Sequence, residues 1–188
     1  MRSLKRMSAP GPTMLLLLLL ASQLAAQSTE QHPRVDENLS RAVHHQLRVL
    51  PYYSVFDYLT CAIDGSKVTL TGQVVRPTLK AHAEAAVKSI EGVVSVVNTI
   101  EVLPKSPADD ALRRDVYRAI FEDAALKQYA VQPLPTMHII VKSGALSLEG
   151  SVNSKADKEL AETRARSVAG VKTLVNHLLV RDTQTAAE

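Results

Sequence analysis

Val68-Thr69-Leu70-Thr71-Gly72-Gln73-Val74 returns 78 residues later as Leu146-Ser147-Leu148-Glu149-Gly150-Ser151-Val152. In both stretches the apolar residues and one glycine occupy alternate positions, the period of a strand buried on one face. The correspondence runs well beyond these seven residues. Val68 to Val102, set against Leu146 to Val180, gives 12 identities in 35 pairs, among them Leu70/Leu148, Gly72/Gly150, Ala83/Ala161, Gly92/Gly170, Asn98/Asn176 and Val102/Val180. Upstream the pairing continues at an offset of 73, through Leu39/Leu112, Val43/Val116 and Leu47/Ile120. The second copy therefore holds five extra residues, placed near Gln132-Pro133-Leu134-Pro135, where two prolines interrupt regular structure. One supersecondary unit is used twice.

Each unit reads as helix, strand, strand, helix, strand. In the first, Asp36 can cap a helix with the apolar stripe Leu39, Val43, Leu47 and Leu50, ended by Pro51. Leu59, Cys61 and Ile63 alternate in a strand, Asp64-Gly65-Ser66-Lys67 turns the chain, and Val68, Leu70 and Val74 follow in the next strand. Leu79, Ala83, Val87 and Ile90 share one face of a second helix, Gly92 stops it, and Val94–Val102 form the last strand. In the second unit, Ser106-Pro107 starts a helix bearing Leu112, Val116 and Ile120. Ile139 and Val141, then Leu146 and Leu148, lie in paired strands around Ser143-Gly144. Ala161, Ala165 and Val168 mark the second helix, ended by Gly170 before Val171–Val180. This predicts an α+β fold of two tandem αββαβ domains, each a three-stranded mixed sheet packed by two helices. Their limits are 36–103 and 106–181, joined by the short Pro104–Pro107 linker. Gly72 and Gly150 are expected to permit a close approach of helix to strand, or a bulge.

Residues 1–26 read as a cleavable signal peptide. Arg2, Lys5 and Arg6 precede an apolar run from Met14 to Leu20, and Ala21, Ser22, Ala25 and Ala26 bring small residues to the cut. The run falls short of the roughly 20 residues a membrane-spanning helix needs. Position 27 is Gln, not Cys, so a lipid anchor at this cut is not expected. The chain carries 22 Lys+Arg against 19 Asp+Glu, and three of those bases lie in residues 1–26. What remains is neutral, which argues against nucleic acid as a partner.

The pattern resembles the BON domain, named for bacterial osmotically inducible and nodulation proteins. The residues that carry the resemblance are Gly65, Val68, Leu70, Gly72, Val74, Gly92, Val93, Asn98, Ile100 and Val102, repeated as Gly144, Leu146, Leu148, Gly150, Val152, Gly170, Val171, Asn176, Leu178 and Val180. The resemblance implies the αββαβ fold, a place in the periplasm or at the outer membrane, and association with phospholipid or with envelope proteins. It also implies a part in osmotic or envelope stress, including chaperone-like protection. Asn98 and Asn176 are expected to bond to backbone rather than to a ligand.

Catalytic constellations are missing from the sequence. It has no H-E-x-x-H, C-x-x-C, G-x-S-x-G, P-loop or dinucleotide fingerprint. His44 and His45 are neighbours, about 100° apart on a helix, and His82, His138 and His177 read as surface residues. Cys61, the single cysteine, alternates with Leu59 and Ile63 and reads as a small apolar group with no base beside it. The chain is expected to be a non-enzyme without cofactor or metal.

Two surface features are candidates for binding. Tyr52, Tyr53, Phe56 and Tyr58 either seal one end of the first domain or form an amphipathic patch facing lipid or an unfolded chain. Arg113, Arg114 and Arg118, with Lys155, Lys158, Arg164 and Arg166, place bases on the two helices of the second unit. Asp109, Asp110, Asp115, Asp157, Glu159 and Glu162 interleave with them. Two partners follow as expectations: an anionic phospholipid surface met by the bases, or envelope proteins held by a chaperone-like module through Tyr52 and Tyr53. A hydrolase built on Cys61 or a histidine is the third class.

Overall fold

The computed structural model describes residues 32–131 and 134–181; the expected signal peptide lies outside them. The first repeat runs α1 (His32–Arg48), β1 (Tyr58–Asp64), β2 (Lys67–Val74), α2 (Pro77–Lys88), β3 (Ser95–Asn98) and β4 (Glu101–Val102). The second runs α3 (Pro107–Phe121), a 3-10 turn at Lys127–Ala130, β5 (Met137–Lys142), β6 (Ala145–Val152), α4 (Lys155–Arg166), β7 (Thr173–Asn176) and β8 (Leu179–Val180). Helix α1 begins at His32, so Asp36 lies within it and is not its cap. The helices of the second repeat start as their sequence dictates: Ser106 Oγ accepts from Asp109 N ahead of Pro107, and Ser154 Oγ accepts from Asp157 N.

Both sheets share one topology. The first strand of each hairpin lies antiparallel to the second, with Cys61 opposite Leu70 in one repeat and Ile139 opposite Leu148 in the other. The strand after the crossover helix runs parallel to the central strand, Val68 opposite Val96 and Leu146 opposite Leu174. The stripes read from the sequence make the two cores. Leu39, Val43, Leu47, Val68, Leu70, Val74, Leu79, Ala83 and Val87 fill one; Leu112, Val116, Ile120, Ile139, Leu146, Leu148, Ala161 and Ala165 fill the other.

The last strand of each repeat is broken rather than continuous. In the first, Asn98 Oδ1 accepts from Ile100 N at 3.2 Å while Nδ2 donates to Lys80 O and to Glu84 Oε2, both at 3.0 Å. Asn176 does the same with Leu178 N, Lys158 O and Glu162 Oε2. Each asparagine turns the strand for two residues and pins it to the crossover helix. This lets Ile100 and Leu178 drop into the cores, at 1% and 0% exposure.

The close approach at the central-strand glycines is made by the neighbouring strand, not by a helix. Gly72 has φ +124, and a Cβ there would stand 2.0 Å from the carbonyl oxygen of Tyr58; at Gly150, with φ +103, it would stand 2.2 Å from that of Thr136. Gly65, at φ +57 in the β1–β2 turn, faces open space. Gly72→Ala should therefore cost about 3 kcal/mol or abolish folding, because backbone has to move, whereas Gly65→Ala should cost about 1 kcal/mol for its left-handed backbone alone. Urea unfolding of the two variants measures the difference.

Candidate functional site

The bases expected to form one cationic surface are divided by the fold into three groups. Arg113 is buried, with 4% exposure, so it does not belong to the surface. It lies on the side of α3 that meets β5, where Nη1 binds Asp110 and Nη2 donates to Val141 O at 2.6 Å. Its task is to satisfy a strand-edge carbonyl. The adjacent Asp109, also buried, accepts from Ser143 N and Gly144 N and so holds the β5–β6 turn.

The second group lies on or beside α4, and every member has a partner. Lys155 pairs with Glu159 at 3.6 Å, Arg166 with Glu162 at 2.7 Å and Arg164 with Asp123 at 2.7 Å. Lys158 Nζ donates to Leu178 O at 2.6 Å. Exposed pairs of this kind contribute little stability, but they cancel the field of the helix. Arg166 and Asn176 meet on Glu162, whose carboxyl they hold below the usual range.

The third group is on the outer face of α3. Arg114 and Arg118, both exposed, are one helical turn apart, with Tyr117 between them at 38% exposure. Arg118 has Asp115 at 3.4 Å, an open pair with both side chains more than half exposed. Tyr117 rests edge-on against Phe121 at 5.1 Å and meets Phe56 of the first repeat at 6.0 Å. Phe56, Arg114, Tyr117 and Arg118 line a shallow depression of about 360 Å³ whose walls are almost wholly apolar.

The four clustered aromatics have separate roles. Tyr53 is buried, and its hydroxyl accepts from Leu59 N at 3.3 Å, so it is a core residue and not a patch residue. Tyr52 is 70% exposed and carries the Arg76 guanidinium over its ring at 5.2 Å. Tyr53 and Tyr58 flank His138 at 5.4 and 5.6 Å. His138, expected at the surface, is 4% exposed, with Nδ1 3.3 Å from Ser54 O. Asp57, wholly buried, organises this junction by accepting from Ser54 N, Ser54 Oγ and Val75 N. Burial pushes its carboxyl up, and those hydrogen bonds oppose the rise.

Cys61 does have a base beside it, since Sγ is 3.7 Å from His44 Nε2. Burial pushes the thiol up; burial and then the Arg48 charge push the imidazole down. Both shifts oppose the thiolate–imidazolium pair that nucleophilic chemistry requires. Among the described residues, no three His, Cys, Asp or Glu side chains converge to hold a metal ion, and no helix is long and apolar enough to cross a membrane.

Residues 36–104 and 108–182 each match the BON domain. The broken third strand and its asparagine thus occur in a recognised module, and the chain belongs to the BON-domain family. It is 31% identical over 118 residues to osmotically-inducible protein Y of Escherichia coli strain K12. That match takes in 61% of this chain and 58% of the relative, so the chain spans little more than half the length of that protein. Two solved structures of CdsD, the structural protein of the type III secretion system of Chlamydia trachomatis, share 16% and 15% identity, with TM-scores of 0.29 and 0.28. They cover 76% and 77% of this chain, and 64% and 94% of their own. Similarity at that level carries no argument about this protein.

The buried histidine makes stability depend on pH. Burial pushes its pKa down to about 4, and contacts with the backbone of Ser54, Asp57 and Pro135 and with the Glu149 charge oppose this only in part. The unfolded chain, with an ordinary imidazole near pH 6.5, binds the proton first, so this group's contribution falls as pH drops from about 6.5 to 4 and is level below that. Over that window the loss is on the order of 3 kcal/mol. Asp57, shifted upward, acts in the opposite sense below its own folded pKa. His138→Gln should flatten the fall between pH 6.5 and 4.5, measured as urea midpoints across the range.

Proposed function

We propose that this chain is an exported, non-enzymatic envelope protein that attaches to anionic phospholipid surfaces in osmotic or envelope stress. The attaching surface is the outer face of α3 in the second BON domain. The observation that carries this reading is the pairing of two exposed guanidinium groups, Arg114 and Arg118, with the half-exposed rings of Tyr117 and Phe56 around one apolar depression. A bilayer interface presents the complementary arrangement, with anionic headgroups outside and acyl chains within, and tyrosine favours that depth. The candidate set narrows accordingly. Lys158 is engaged by a carbonyl and Arg166 by a close acid, and Arg113 and Tyr53 are buried, so none of these four contributes the main attraction; Lys155, in an open pair with Glu159, is a further contact. Tyr52 lies exposed in the first repeat as a secondary contact.

The relationship to osmotically-inducible protein Y supports the stress setting. The basic and apolar segments within residues 1–26 support export to the periplasm. Neutral net charge after residue 26 is compatible with attachment, because a bilayer responds to the face turned toward it within a Debye length of about 8–10 Å.

Co-sedimentation of residues 27–188 with neutral and anionic liposomes tests the proposal. Binding should be confined to anionic vesicles and fall at high salt. A base at an anionic surface contributes about 1 kcal/mol, so Arg114→Ala with Arg118→Ala should weaken binding by roughly thirtyfold. Lys158→Ala with Arg166→Ala should change it little. Equal loss from both pairs, or binding to neutral vesicles alone, would overturn the assignment of this face.

A further inference from the structure

The two repeats differ at one equivalent edge. In the second, Val55 of the first repeat enters the core between α3 and β5, and its carbonyl accepts from Ile139 N at 2.7 Å. Phe56 follows it onto Tyr117. Ile139 and Val141 are consequently 0% exposed. The offsets of the repeat place Cys61, Ile63 and His44 at the positions of Ile139, Val141 and Tyr117. In the first repeat Cys61 and Ile63 are only half-buried, and His44 is exposed. Among the described residues, no backbone hydrogen bond from another loop reaches β1 as Val55 reaches β5.

We propose that the slot between α1 and the outer edge of β1, at Cys61, Ile63 and His44, is a docking site for an extended peptide segment of a partner protein, carrying an aliphatic residue followed by an aromatic one. The occupant of the equivalent slot, Ser54-Val55-Phe56, is the template for that chemistry. Such a segment adds to the strand edge through backbone hydrogen bonds and is selected by its side chains. Two differences between the slots set the preference. Cys61 is smaller than Ile139, and its sulfur lies 3.7 Å from His44 Nε2, so an entering aliphatic residue displaces the imidazole. Arg48 stands where the other repeat has Phe121, so the rim favours an acidic residue beside the aromatic. A second copy of the chain is the weaker candidate. Its own Val55 and Phe56 are consumed in its second repeat, and Val131-Gln132-Pro133-Leu134-Pro135, ahead of β5, has no aliphatic–aromatic pair.

Cys61, the one thiol of the chain, reports occupancy without any substitution in the protein. The probe is a synthetic peptide copying Pro51–Tyr58, and the readout is the rate at which iodoacetamide alkylates Cys61 in residues 27–188, which retain every described residue. Saturating peptide should slow alkylation by roughly fivefold or more by closing access to the thiol. The same peptide with Val55→Asp and Phe56→Asp should give no protection. Ile63→Glu in the protein should abolish binding of the fluorescently labelled parent peptide, and Cys61→Ser should retain it. Equal protection by both peptides, or by neither, would overturn the proposal. Slowing of alkylation with protein concentration alone would instead assign the slot to a second copy. Protection by anionic vesicles without peptide would assign it to a membrane.

Discussion

The structure turns on the insertion of Val55 into the core of the repeat to which it does not belong. A buried valine contributes about 2 kcal/mol, and its carbonyl also satisfies the outward amide of Ile139. An outer strand edge is a liability unless something covers it. Here the cover comes from the preceding repeat, so the second domain has a complete core only beside the first. Asp57, Ser54, Tyr53 and His138 gather around the same point. They fix the loop that makes the insertion, since Asp57 closes the Ser54 turn and also binds Val75 N at the end of β2. Placing Phe56 against Tyr117 is a by-product of the same loop, and it gives the α3 surface its apolar floor. Junction and surface are thus one construction.

What was legible in the sequence is what depends on short range. The stripes Leu39/Val43/Leu47 and Leu112/Val116/Ile120 and the alternating strands carry their period in the chain, and they make the cores as read. The Val94–Val102 strand could not be read as broken, because the break depends on Asn98 reaching Lys80 and Glu84 across the crossover. A signal was present: Glu84/Glu162, whose carboxylates take the asparagine, are identical between repeats although not apolar. Polar identity at a half-buried helix position in a diverged repeat marks a shared contact.

The candidate site was read less well, and each error has a physical cause. A single Arg113 in an amphipathic helix looks like a surface base. Only the position of β5 shows that its guanidinium serves the Val141 carbonyl. His138 looks like a solvent-facing strand residue until a loop from 84 positions earlier closes over it. On α4, Lys155 and Arg166 meet acids four residues away on the same helix, whereas Lys158 and Arg164 meet Leu178 O and Asp123, which the sequence places elsewhere. Tyr117 passed unnoticed because its importance comes from Phe56 and from its place between Arg114 and Arg118, not from its own neighbours in sequence.

Divergence between the repeats is greatest on their first strands, β1 and β5. Their cores keep the same positions, and the asparagine clip is retained atom for atom. The face of the first helix has changed, with His44 against Tyr117, Arg48 against Phe121 and Ser40 against Arg113. In the second repeat these substitutions create a buried guanidinium beneath an aromatic and basic surface. In the first they leave a small thiol, an imidazole and a charged rim along an edge that no other loop among the described residues reaches by a backbone hydrogen bond. A residue that stabilised only its own fold would face the same selection in both copies, because both copies have the same fold. The sheet has diverged as well: Tyr58–Asp64 and the equivalent residues 136–142 share no residue, so the differences include the strand edge that Val55 reaches in the second repeat.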